Sequence, residues 1–299
     1  MTTPRFSVGQ MTTIGLSFEE DLAVYSAAGA QGIGIDGSKL GDSRRNLEQF
    51  KASGLEATFC FPVTPSVLPI PGWSGAPDPA DRVEEICQGM ERLAAFEPAA
   101  CACVTGPQGS YEAGEARELA VAGLKQVARR AADMGMTVAI EPVHSSIKDR
   151  WSFLTTIPDT VELLAEIDEP NMGMVFDVWH LWDTPDLLDH VREHAQRFIG
   201  AHVDDWRDPT RSWCDRVLPG DGIADVRGIF RALDEGGFDG WFELEIFSDD
   251  GRFGNDFPDS LWKLDPLELV RTGRAQFMHL WESRDDLLYD RAVPAPETR

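Results

Sequence analysis

The sequence predicts a single (β/α)8 barrel of the TIM type. Three observations predict it. Eight short β-type runs alternate with longer amphipathic runs, and no break in composition divides them. Glycine closes several of the helical runs just before the next strand. Four of the strand-type runs end at a carboxylate or a histidine, the place where a barrel keeps its active site. A chain of 299 residues could hold two domains, but barrels of this size are single units. Residues 1–289 are therefore assigned to the barrel and 290–299 to a disordered tail.

In order, strands are expected over Phe6–Met11, Gly32–Ile35, Ala57–Phe61, Ala100–Val104, Thr137–Pro142, Gly173–Val178, Ile199–Val203 and Trp241–Phe247. Each is a short, mostly apolar run of the length a buried parallel strand needs. Helices are expected over Phe18–Ala28, Arg44–Ser53, Pro79–Phe96, Glu115–Met134, Ile157–Ile167, Pro185–Gln196 and Val226–Glu235, with a last one from Pro266 to about Leu288. Gly29, Gly54, Gly135 and the Gly236-Gly237 pair follow helical runs, where a left-handed cap ends the helix. Asp159 and Asp225 stand near helix starts, where an acidic group suits the positive end of the dipole. The connections after strands three, seven and eight are long, covering 62–78, 204–224 and 248–265. Long structured loops in a compact domain are usually functional.

Composition narrows the function. The formal charge is −24, from 27 basic and 51 acidic residues. Such a chain repels phosphate backbones, so nucleic acid is not an expected partner. The five cysteines are odd in number and lack zinc-knuckle spacing, and they read as reduced core thiols. Met1 to Gln10 does not read as a signal sequence. No apolar run approaches the ~20 residues of a membrane helix. A soluble, cytoplasmic protein without a membrane partner is expected.

Glu141, Asp177, His202 and Glu245 fall on the fifth to eighth expected strands. These strands are neighbours in a closed barrel, so inward-facing side chains at their ends can converge. A charge there costs several kcal/mol unless something compensates it, and one divalent metal ion would. Three carboxylates and one imidazole suit Mn2+, Mg2+ or Co2+, with Zn2+ also open; Mn2+ is taken as the expectation. Glu243 shares the inward face of its strand with Glu245 and reads as an ion-paired barrel residue or, second, as a partner behind a metal ligand.

Four segments carry a more specific likeness. They are Ile-Glu-Pro at 140–142, Phe-Asp-Val-Trp-His at 176–180, Gly-Ala-His-Val-Asp-Asp at 200–205 and Phe-Asp-Gly-Trp-Phe-Glu-Leu-Glu at 238–245, with a Pro219-Gly220-Asp221-Gly222 turn. The chain resembles the xylose isomerase-like sugar isomerase/epimerase superfamily, which includes ketose 3-epimerases, hydroxypyruvate isomerase and inosose dehydratase. The resemblance spans strands five to eight strongly and the first half weakly. It implies Glu141, Asp177, His202 and Glu245 as metal ligands, Glu141 and Glu245 also as the acid/base pair, and His180 as a substrate contact. Six residues after His202, where family epimerases often carry an arginine, this chain has Asp208, with Arg207 one step before.

The expected activity is isomerisation or epimerisation of a sugar or keto-polyol through an enediolate. His144, in the loop after strand five, is a candidate third proton-transfer group. Phe61, Trp179, Trp206 and Arg207 are candidate substrate contacts, and Trp73, Trp151, Trp182 and Trp213 add to an aromatic mouth. Sugars stack their C–H faces on such rings, and a glycoside with an aromatic aglycone would suit. The rival activity is a lyase on the same scaffold. It would be a dehydratase, or an enzyme of β-elimination from an oxidised glycoside such as C-glycoside deglycosylation, with a partner subunit. DNA-repair endonucleases of the superfamily use many histidines and several zinc ions; six histidines here do not fit. A homo-oligomer acting on a small carbohydrate is expected.

Overall fold

A computed structural model of the chain describes residues 3–286; the expected tail at 290–299 lies outside the described residues. Nine strands run parallel in one sheet: β1 (Arg5–Gly9), β2 (Gly32–Gly34), β3 (Glu56–Ala57), β4 (Phe59–Cys60), β5 (Ala100–Cys103), β6 (Val138–Ile140), β7 (Met172–Asp177), β8 (Phe198–Val203) and, after two further strands, β11 (Trp241–Leu244). The expected third strand is divided at Thr58 into β3 and β4. β3 pairs with β2 and β4 with β5. Thr58 bridges the break, donating its N–H to Ile33 O at 2.9 Å and accepting from Ala100 N at 3.2 Å. The sheet so closes on itself, and the expected eight-stranded barrel is what forms.

The helices α1 (Phe18–Ala28), α2 (Ser43–Ser53), α3 (Pro79–Leu93), α4 (Ala113–Asp133), α5 (Ile157–Ile167), α7 (Leu187–His194), α8 (Val226–Glu235) and α9 (Pro266–Glu282) follow the sequence reading closely; α6 (Val178–Leu181) is one added turn. Their starts are capped as the residues dictate. Ser17 and Glu20 form a reciprocal capping box on α1, and Gly29 ends it at φ 79°. No helix among the described residues is long and apolar enough to cross a membrane.

Two cores hold the barrel. A large one lies between strands and helices. A small one fills the barrel's interior with Phe59, Val175 and Trp241 against Ala100, Ala102 and Ala139. Large and small side chains alternate there, the packing a closed parallel barrel requires. The five cysteines are free and buried. One feature was not expected: within the loop after β8, an antiparallel ribbon pairs β9 (Asp205–Trp206) with β10 (Arg216–Val217).

Candidate metal centre and active site

Register brings the charged groups together. Asp177 and His202 are direct partners across β7 and β8, and His202 and Glu243 across β8 and β11. The three share one layer of the interior. Glu245 lies two residues beyond Glu243 on the same face, and Glu141 follows the end of β6. One ligand atom each from Glu141, Asp177, His202 and Glu245 lie within 4.8 Å of one another, all buried. His202 Nδ1 is 2.8 Å from Glu141 Oε1 and 3.4 Å from both Asp177 Oδ2 and Glu245 Oε2. Three hard oxygens and one imidazole nitrogen converging in a buried space fit a divalent cation. His190, Glu193 and His194 on α7 also lie close together, but on the outer surface.

Electrostatics agree that positive charge belongs there. Burial opposes a charge on His202, yet Glu245 and Glu141 outweigh it and hold the imidazole protonated well above its ordinary range. Burial raises Glu141 to about 6, against the pull of His202. Asp177 is also penalised by burial, but the charges of Arg216 and His202 keep it ionised. Burial drives His180 down to about 3, so its ring is neutral. His180 Nδ1 accepts the His144 amide at 3.2 Å, and Arg216 Nη2, a donor only, lies 3.4 Å from its Nε2. Burial raises Glu243 to about 7.

Glu243 finds its charged partner in the ring of His202. Its carboxylate has no Lys or Arg counterpart among the described residues but accepts hydrogen bonds from Ser7, at 3.0 Å, and Thr58. It also stands 3.7 Å from His202 Nε2, a buried nitrogen without a hydrogen-bond partner. With the His202 imidazole protonated, Glu243 is its ion-paired neighbour inside the barrel. Glycine makes its room: a Cβ on Gly9 would lie 2.9 Å from Glu243 Oε1, and one on Gly34 would come within 2.6 Å of its carboxyl carbon.

Above this floor opens a cavity of about 1130 Å3, counted to its open mouth. Glu141, His180, Glu245 and Phe61 line it, as the sequence suggested. Four other candidates do not. Trp179 and Trp206 pack on each other at 4.7 Å and with Trp182 in a cluster behind the cavity wall, which Val143, Ile147, Trp151 and Trp213 join to the cavity. His144 is wedged 4.6 Å from Trp206, with Nδ1 2.7 Å from Ser146 Oγ and Nε2 3.3 Å from Asp183. Those partners make it a packing and hydrogen-bonding residue of the wall behind the cavity. Arg207 turns outward to Asp215 at 3.0 Å and Asp259 at 3.2 Å.

The arginine on the cavity wall is Arg216, which sequence reasoning passed over. Its Nη1 lies 2.9 Å from Asp177, 2.6 Å from Asp204 and 3.0 Å from Glu245. Trp179 and Phe247 flank the guanidinium at 5.3 and 4.7 Å. Burial works against its charge, and Asp177, Asp204 and Glu245 overcome it. The ribbon places it. Asp205 accepts the amides of Gly220, Gly222 and Ala224 at 2.9–3.0 Å, which folds the glycine turn back onto β9. The signal in sequence was an arginine at the head of Arg-Val-Leu-Pro, between a long loop and that turn.

A profile of the xylose isomerase-like TIM barrel family matches residues 22–274. Inosose dehydratase of Geobacillus thermodenitrificans is 26% identical over 44% of this chain and 47% of its own length. Ketose 3-epimerase of Arthrobacter globiformis is 28% identical over 42% of this chain and 40% of its own. The match thus spans about half the length of these relatives or less. The fold is shared with a solved IOLI protein with a bound zinc atom, at a TM-score of 0.77 and 18% identity over 95% of this chain and all of that one. Barrel, ligand-type cluster and profile match agree, and the chain belongs to the xylose isomerase-like TIM barrel family.

Proposed function

We propose that this protein is a divalent-metal-dependent isomerase or epimerase of a sugar or keto-polyol. The convergence of Glu141, Asp177, His202 and Glu245 on one buried point carries the reading. Those four residues would hold the ion, taken as Mn2+ although the donor set equally suits Mg2+ or Co2+, which when bound would polarise a carbonyl and its neighbouring hydroxyl. The chain's own groups supply the rest. Glu141 and Glu245 both line the cavity. One takes the proton from the carbon between carbonyl and hydroxyl, leaving the enediolate, and the other returns it. Return to the opposite face inverts the carbon; return to the neighbouring carbon moves the carbonyl. His180, neutral and on the cavity lining, would contact a substrate oxygen. Arg216 offers a fixed positive charge beside it. The ketose 3-epimerase likeness supports this reading.

Elimination is the second reading. The inosose dehydratase likeness favours it, since the same anion can expel a β-substituent instead of taking the proton back. The test is incubation of the Mn2+-loaded protein in D2O with a panel of ketoses and keto-polyols, followed by proton NMR. Metal-dependent deuterium uptake at the carbon beside the carbonyl, with the substrate skeleton kept, supports isomerisation or epimerisation. Loss of water or of a substituent assigns the lyase. No exchange and no loss on any member would overturn both.

A further inference from the structure

The tryptophans that the sequence gathers at one mouth form one packed region in the fold, of which only part lines the cavity. Trp179, Trp182 and Trp206 pack together behind the cavity. Trp73, Trp151 and Trp213 line it, from three different loops, and Phe247 and Val63 complete the same rim. The rings form a continuous arc: Trp73 to Trp151 at 4.8 Å, Trp151 to Trp213 at 6.0 Å and Trp213 to Phe247 at 5.8 Å. Trp73 and Val63 remain 38% and 39% exposed, two of four large apolar residues so open among those described. Exposed indole and isopropyl surface gathered at one opening is unfavourable in water and favourable under a ligand.

Polar groups able to hold sugar hydroxyls sit elsewhere in the cavity. Gln10, His180, Arg216 and the glutamates are buried at its floor. We infer that the rim is a subsite for a flat, uncharged aromatic group attached to the carbohydrate, so that the substrate is an aryl-substituted sugar. The net charge of −24 disfavours an anionic group there. The inference rests on the proposed function only in seating the sugar end at the floor.

Calorimetric titration of the Mn2+-loaded full chain with 4-nitrophenyl β-D-glucoside and with methyl β-D-glucoside tests it. The aryl glucoside is expected to bind about tenfold tighter, the size of a good aromatic contact. Trp151→Ala is expected to abolish that preference and leave the methyl glucoside unchanged, while Trp151→Phe keeps most of it. Trp213→Ala serves the same purpose if Trp151→Ala does not fold. Equal affinities, a variant that weakens both glucosides alike, or no heat from either compound would overturn the inference. An aryl preference that persists while every ketose fails to exchange deuterium would sink the isomerase reading and leave the subsite standing.

Discussion

The two sides of the barrel interior do opposite things. β6, β7, β8 and β11 bring Glu141, Asp177, His202, Glu243 and Glu245 inward. β1 and β2, with the break between β3 and β4, answer with Gly9, Gly34 and the hydroxyls of Ser7 and Thr58. The difference teaches that a charged centre in a closed barrel needs two things from different strands: the ligands, and an opposite wall small enough to admit their supports. The wall is as specific as the ligands, since a single methyl group at Gly34 would overlap the carboxyl of Glu243.

The largest expected effect comes from the charged side. Glu245→Gln keeps the shape but removes both a ligand charge and a proton-transfer group. Exchange activity is expected to fall by about 10²–10⁴-fold, measured by the rate of deuterium uptake at saturating Mn2+. A variant with near-normal exchange would remove Glu245 from the chemistry. Glu243→Gln comes next and joins the two sides. Glutamine can still accept from Ser7 and Thr58, but it removes the negative charge that faces His202 Nε2. Mn2+ affinity is expected to drop by about 10–100-fold, the usual cost of losing the group behind a ligating histidine. Calorimetry reads this directly, and an unchanged Kd would leave Glu243 a wall residue only.

How much of this was legible depended on where a residue's meaning lies. Glu141, Asp177 and His202 could be read because each breaks an apolar run that must be buried, so the anomaly is local. Gly34 could not. A glycine in a short strand reads only as close packing, and its partner Glu243 is far away in sequence. Thr58 looked like an ordinary strand residue, yet it stands where the third strand divides. The ribbon of β9 and β10 was invisible because two-residue strands have no periodicity. Arg207 was therefore placed at the mouth by its spacing from His202, while the ribbon folds Arg216 into that place instead. The tryptophans were counted correctly as a cluster, but no pattern in the chain divides three behind the wall from three on it.

Gly34→Ala attacks the accommodating side. The added methyl must displace the Glu243 carboxylate or the strand, and overpacking of this kind costs about 1–3 kcal/mol. Chemical denaturation measures it. The cost should shrink when Glu243 is also alanine, because the clashing group is then gone. The double-mutant cycle isolates that coupling, and simple additivity would mean that Gly34 is needed for some other reason.

The smallest effect is expected outside the cavity. Arg207 is about a quarter exposed, at 27%, and shares Asp215 with Arg211. Arg211 also donates from its backbone and Nε to the same carboxylate, at 3.0 and 2.7 Å. Asp215 therefore keeps its partners when Arg207 is lost. Arg207→Ala should cost no more than about 1 kcal/mol, as partly screened ion pairs do, and thermal melting would show it. KM for the substrate should be unchanged, because the guanidinium that faces the cavity belongs to Arg216. Arg216→Lys gives the contrast. It keeps a charge but loses the planar fork that reaches Asp177, Asp204 and Glu245 from one side chain, so KM should rise. A KM change for Arg207→Ala as large as that for Arg216→Lys would mean that the loop after β8 swings Arg207 into the mouth when substrate binds.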